Sequence, residues 1–150
     1  EKIKVDPLTR ALRIDKMTLA GLEAVLWFYK TNRWQDLPIY KMLNKSPGKM
    51  KRDAQNLAKG LKDLLRGTGE VEVVQDHSEV GGGTMPCHKM PTKAVALTWP
   101  GLTAQELSHE FRSCKTPIIG RIKKDRYILD VRTLQDGDME KILEMAGDLL

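Results

Sequence analysis

From Ser46 to Gly69 the chain carries a pattern that a long, one-sided helix satisfies. Met50, Ala54, Leu57, Leu61, Leu64 and Leu65 recur mostly at steps of three and four, and lysines fill the opposite face. Both ends are marked. Ser46 can cap the first turn, Pro47 suits the first helical position, and Gly67 and Gly69 supply the left-handed stop that helices favour. A helix with one apolar stripe must bury it, so the rest of the chain has to provide a second layer. The period changes just after Gly69. Val71, Val73 and Val74 alternate with polar residues, and after a polar loop comes Ala94-Val95-Ala96-Leu97, which together predict two strands.

The remaining elements follow from similar signals. Leu19, Leu22, Val25, Leu26 and Tyr29 keep helical spacing after Met17, predicting a first helix that buries one stripe and ends near Tyr29 or Thr31. A short apolar piece, Ile39 to Leu43, follows Pro38. Thr103-Ala104-Gln105-Glu106 is a capping box, with Leu102 placed to staple onto Leu107, so a helix should cover Ala104 to Ser113. Ile118 to Ile122 and Tyr127 to Val131 flank Lys123-Lys124-Asp125-Arg126, as in an antiparallel hairpin with a four-residue loop. Met139, Ile142, Leu143, Ala146, Leu149 and Leu150 form a last helical stripe behind Asp136-Gly137-Asp138, where acids suit the positive helix end. The order α-α-β-β-α-β-β-α predicts an α+β fold with helices packed on one face of a small, mostly antiparallel sheet.

At 150 residues, with 41% hydrophobic and 30% charged side chains, one core is expected and wholesale disorder is not. Lys and Arg number 25 against 20 Asp and Glu, and the resulting charge of +5 favours anionic partners, a solvated basic surface being the plainer reading. No stretch approaches the roughly 20 apolar residues that cross a bilayer, so the expectation is a cytoplasmic protein without a membrane partner. Cys87 and Cys114 are too few for a disulfide framework. With His77, His88 and His109 they show no metal-ligand spacing, so no metal is expected. The segment Glu1 to Pro7 starts without Met and without a helix signal, like a chain entered midway.

Three groups of residues could carry chemistry. Arg10 and Arg13 lie three apart and would share a face if Leu8 to Lys16 formed helical turns; such a pair can clamp a tetrahedral oxyanion, or can simply be surface charge. Gly81-Gly82-Gly83, followed by Thr84-Met85-Pro86, would let backbone amides approach a ligand or let the chain turn. It is neither a Walker loop nor a dinucleotide fingerprint. Arg121 emerges from the apolar run Ile118-Ile119-Gly120, where a charge must find water or an anion and where glycine would let a substrate come close. Asp130 and Arg132, two apart on a strand, read as a structural ion pair. No Ser-His-Asp set, isolated carboxylate pair or Cys-His nucleophile is visible, which leaves an anion-binding domain without a complete active site.

The segment Pro7-Leu8-Thr9-Arg10-Ala11-Leu12-Arg13-Ile14-Asp15-Lys16-Met17-Thr18-Leu19-Ala20-Gly21-Leu22-Glu23-Ala24 resembles the bacterial selenocysteine synthase family, L-seryl-tRNA(Sec) selenium transferase. In the family's order follow Pro38-Ile39-Tyr40-Lys41-Met42-Leu43, Val80 to Pro86, Pro91 to Leu97, Pro117 to Arg121, and Leu129-Asp130-Val131-Arg132-Thr133. The resemblance implies the C-terminal small domain of a fold-type-I enzyme dependent on pyridoxal 5′-phosphate (PLP). Residues 1–16 would be the linker from a large domain lying upstream, and residues 17–150 the small domain with its connecting helix. The Schiff-base lysine would lie upstream of Glu1, leaving no catalytic residue and an inactive fragment here. The implied reaction removes the seryl hydroxyl of seryl-tRNA(Sec) as water and adds selenium from selenophosphate, PLP serving as electron sink. Arg10 and Arg13 would hold the phosphate-like donor; in many fold-type-I enzymes a small-domain arginine, here Arg121, grips the substrate carboxylate, which in this reaction would be esterified to tRNA. A homo-oligomer with active sites between subunits is implied as well. Two alternatives stay open: a related fold-type-I enzyme acting on a small amino acid or amino sugar, and a non-catalytic RNA-binding module that uses the lysine-rich helix after Ser46.

Overall fold

The computed structural model describes residues 6–80 and 89–149. They fall into two compact units, Glu1–Lys41 and Met42–Leu150. The first unit is helical: α1 (Leu8–Ala11), α2 (Lys16–Lys30), a 3-10 turn (Trp34–Asp36) and most of α3 (Pro38–Leu43). Asn32, at φ 56, turns the chain after α2, and the Tyr29 and Tyr40 hydroxyls meet at 2.8 Å beside an edge-on Trp34 to Tyr40 contact at 4.9 Å. The first helix therefore forms where its spacing predicts. Its stripe, however, is not buried: Leu22 is 47% and Leu26 56% exposed. A unit this small has too few apolar partners to cover it.

In the second unit α4 (Pro47–Leu65) begins as expected, the Ser46 hydroxyl accepting from the Lys49 amide at 3.2 Å. It stops one residue earlier than the glycine signal suggests, since Arg66 already adopts the left-handed conformation (φ 48) ahead of Gly67 (φ 85). Gly69 has another task. A Cβ there would lie 2.6 Å from the Thr98 carbonyl oxygen, so its hydrogen lets the chain enter the sheet.

The sheet contains β1 (Glu70–Glu79), β2 (Lys89–Thr98), β3 (Arg121–Lys123) and β4 (Arg126–Asp130) in the order β1-β2-β4-β3, every pair antiparallel. Helices α4, α5 (Ala104–Ser113) and α6 (Asp138–Asp148) share one core with Val71, Val95, Leu97, Tyr127 and Leu129, so the predicted one-sided α+β packing is what forms. α4 alone buries Met50, Ala54, Leu57, Ala58, Leu61 and Leu65, each leucine contributing about 2 kcal/mol by removal from water. The capping box of α5 is complete: Thr103 Oγ1 accepts from the Glu106 amide at 3.2 Å and the Glu106 carboxylate accepts from the Thr103 amide at 2.8 Å.

Two local expectations are corrected. The first two strands run well past their valines and alanines, because period-2 alternation continues through polar residues: Asp76, Ser78 and Thr92 are buried where a polar loop was expected. The β3–β4 connection is two residues, not four. Lys124 and Asp125 both take positive φ (52 and 53), the requirement of a type I′ turn, and this frees Lys123 and Arg126 to pair.

Candidate functional site

The segment bearing Arg10 and Arg13 is shaped by two aspartates. Asp6 Oδ1 accepts from the Leu8 amide at 2.9 Å and starts α1, whereas Asp15 caps α2, its carboxylate accepting from the Met17 and Thr18 amides at 2.9 and 3.0 Å and from the Thr18 hydroxyl at 2.6 Å. The Thr18 hydroxyl bond is the main reason the Asp15 carboxyl titrates below its ordinary value. Capping requires extended backbone at Asp15 (ψ 163), so no continuous helix can run from Leu8 to Lys16. The helical turn thus ends at Ala11. Arg10 lies within it and Arg13 beyond it, so the shared helical face expected from their spacing does not form. Arg13 is exposed and forms no ion pair among the described residues. Gly81, Gly82 and Gly83 lie outside the described residues.

Arg121 sits in a charged cluster on the sheet face opposite the helices. It donates to the His77 carbonyl and to Asp130 Oδ2, both at 3.0 Å, and comes within 3.3 Å of Asp76 Oδ2. Asp130 also accepts from the Ser78 and Thr92 hydroxyls at 2.7 and 2.8 Å, and Lys123 binds the other oxygen of Asp76. These pairs join the β3 edge to β1 at the far edge of the sheet. Burial alone would raise the Asp76 carboxyl, but the Lys123 hydrogen bond, the His77 amide and the charges of Arg121 and Lys123 outweigh it, so its pKa lies below the ordinary value. Asp76 Oδ2 is buried without a well-directed hydrogen bond, held only by the charge of Arg121. An external anion would meet a guanidinium whose donors already face two carboxylates.

The glycine beside Arg121 serves the core. A Cβ on Gly120 would lie 2.5 Å from the Tyr127 ring and 2.8 Å from the Ile128 carbonyl, so the close approach it permits is that of Tyr127, where a substrate was expected. The Asp130–Arg132 ion pair is likewise absent. Only the Arg132 amide reaches Asp130, at 3.0 Å, while its buried guanidinium donates to the carbonyls of Met42, Leu43 and Pro91 at 3.1, 3.2 and 2.6 Å. Two of those carbonyls end α3, where a cation complements the helix dipole. Lys45 is a second buried cation, its ammonium shared by Asp53 at 2.8 Å and the Val131 carbonyl at 2.6 Å. Spacing alone did not reveal Asp76, Ser78, Thr92 or Lys123, although the alternation Val74, Asp76, Ser78 carried the signal. Among the described residues no three His, Cys, Asp or Glu side chains gather as a metal site, and no helix is long and apolar enough to cross a membrane.

A helix-backed antiparallel sheet with a self-neutralised charged face defines this part of the chain as an α+β domain. Comparison with known proteins assigns it more narrowly. The family described as L-seryl-tRNA selenium transferase matches residues 1–135, and the chain belongs to that family. It is similar to the L-seryl-tRNA(Sec) selenium transferase of Aquifex aeolicus (strain VF5), 39% identical over 151 residues, covering 100% of this chain and 33% of the relative. That of Clostridium botulinum (strain Hall / ATCC 3502 / NCTC 13319 / Type A) is 40% identical over 152 residues with the same shares, and that of Geotalea uraniireducens (strain Rf4) 36% over 143 residues, covering 94% and 31%. The chain therefore spans about a third of the length of these relatives.

Proposed function

We propose that this chain is the C-terminal portion of a PLP-dependent selenium transferase that converts seryl-tRNA(Sec) to selenocysteinyl-tRNA(Sec) with selenophosphate. The observation that carries the reading is similarity along the whole chain to about a third of proteins bearing the selenium transferase name. In this reading residues 1–16 lead from a larger cofactor-binding domain and residues 17–150 form the small domain with its connecting helix. The whole protein works as a cytoplasmic homo-oligomer, and the fragment alone is inactive.

Two of the described lysines are already committed to partners within the chain. Lys45, its side chain only 8% exposed, has its ammonium committed to a carboxylate and two carbonyls, and Lys123 is bound to Asp76. In this reading PLP, the electron sink of such a reaction, is held by the remainder of the protein. What this chain adds is electrostatic. Arg13, exposed just beyond the end of α1, offers a planar fork of donors that suits a phosphate-like oxyanion, and Arg10 offers the same group three residues earlier. Arg121 would contribute only by exchanging Asp130 or Asp76 for a substrate anion.

The test is steady-state kinetics of the full-length enzyme carrying Arg13→Gln or Arg10→Gln. Losing a charge-assisted hydrogen bond of about 1.5–3 kcal/mol should raise the KM for selenophosphate about 10- to 100-fold and leave seryl-tRNA(Sec) affinity unchanged. A full-length protein that ignores seryl-tRNA(Sec) and processes a small amine would overturn the reading.

A further inference from the structure

The outer face of α4 carries a one-sided charge distribution. Between Ser46 and Arg66 stand six cations, Lys49, Lys51, Arg52, Lys59, Lys62 and Arg66, and two carboxylates, Asp53 and Asp63. All six cations are exposed, and none forms an ion pair among the described residues. The cations that do meet a carboxylate, Arg33, Lys45, Arg121, Lys123 and Arg126, all lie outside α4.

Helix geometry turns this list into a surface. At about 100° per residue, Arg52, Lys59 and Arg66 fall close to one line seven residues apart, opposite the buried stripe of Met50, Leu57 and Leu61, with Lys51 and Lys62 on the flank between that line and the apolar face. The row extends about 22 Å from Lys51 to Arg66. Of the two acids, Asp53 is held by Lys45 at 2.8 Å, while Asp63, four residues after Lys59 and three before Arg66, shares the face as its one carboxylate and leaves the face net positive.

Helix stability does not explain these charges. Cations complement the dipole only at the C-terminal end, which accounts for Lys62 and Arg66. At the N-terminal end the first turn has no acid and contains Lys49, with Lys51 and Arg52 close behind, where the dipole disfavours positive charge. Arg66 also holds a left-handed conformation (φ 48) in which a side chain costs about 1 kcal/mol and glycine costs none. A helix selected for its own stability would carry neither feature.

We infer that the Arg52–Lys59–Arg66 face of α4 is a docking surface for the phosphate backbone of an RNA duplex. A net-positive row of guanidinium and ammonium groups, none held by a carboxylate among the described residues, complements the charge of a phosphate backbone, and contains no aromatic residue that could stack or read bases. The contact is therefore sequence-independent. This inference deepens the reading above: tRNA is the RNA to which the surface would be offered, by a part of the chain separate from the arginines assigned to the selenium donor.

The experiment uses the full-length protein with Arg52→Gln, Lys59→Gln and Arg66→Gln combined, set against a control of equal charge change, Lys115→Gln, Lys124→Gln and Lys141→Gln. Circular dichroism establishes that each variant is folded. Binding to a generic RNA duplex and to tRNA(Sec) is measured over a salt series. Removing three phosphate contacts should reduce the slope of log affinity against log salt by about 2.7, so a change from about 50 to about 200 mM salt weakens the variant about 40-fold less than the parent. The control should keep the parent slope. An unchanged slope in the α4 variant, or an equal drop in the control, overturns the inference, as does poly-glutamate bound as tightly as RNA with the same loss on substitution. Turnover of seryl-tRNA(Sec) by the parent is scored separately: turnover with an unchanged slope sinks the surface alone, while a reduced slope without turnover sinks the enzymatic reading alone.

Discussion

Gly120→Ala tests whether the glycine before Arg121 belongs to the core or to a ligand site. The added methyl would sit 2.5 and 2.6 Å from two atoms of the Tyr127 ring and 2.8 Å from the Ile128 carbonyl oxygen. None of these can retreat easily. Tyr127 is fully buried, stacks on Phe111 at 5.1 Å with ring planes 7° apart, and donates its hydroxyl to the Ile118 carbonyl at 3.0 Å, while the Ile128 carbonyl belongs to the sheet. Backbone conformation is not the obstacle, since Gly120 is not among the glycines with positive φ. Overpacking of this kind costs about 1–3 kcal/mol, and two rigid neighbours argue for the upper half of that range. Urea unfolding of parent and variant should show a lower midpoint with an unchanged slope, the mark of lost stability without a change in exposed surface. Kinetics of the full-length variant at a temperature where it stays folded should leave the KM values alone. A variant as stable as the parent but with impaired substrate KM would refute the packing argument and restore a ligand-facing role.

Two further predictions concern buried polar groups in the same unit. Burial pushes the Tyr127 hydroxyl up to about 12, so the folded state holds that proton more tightly than the unfolded chain, and the resulting stability is complete below about pH 10 and lost as pH rises toward 12. At about pH 11 the parent should have lost about 1.4 kcal/mol relative to Tyr127→Phe, measured as the difference between their denaturant stabilities across pH; parallel curves would contradict it. Arg132→Lys should cost about 2–3 kcal/mol in unfolding free energy, because one ammonium cannot reproduce the planar fork that reaches the Met42, Leu43 and Pro91 carbonyls; a loss below about 0.5 kcal/mol would show that these bonds are dispensable.

Much of this architecture was legible in one dimension because local chemistry decided it. The capping box at Thr103, the Ser46-Pro47 start and the stripes of α4 and α6 depend on neighbours within four residues, and each element lies where those residues put it. Order and type of elements then sufficed to infer helices on one face of an antiparallel sheet. The resemblance carried by Pro7 to Ala24 and the later motifs likewise pointed to the selenium transferase family, which the matches along the chain establish.

What tertiary structure alone decided concerns partners distant in sequence. Whether Arg121 faces an outside anion or a carboxylate of its own chain depends on Asp76 and Asp130, brought to it by strand order across the sheet. Gly120 answers to Tyr127 because the two-residue turn at Lys124 and Asp125 folds β3 back along β4. The free charge on α4 was decided by the same route, since none of its outward cations meets a carboxylate among the described residues. Composition counts charges, but pairing between strands and helices determines which of them are left for a partner.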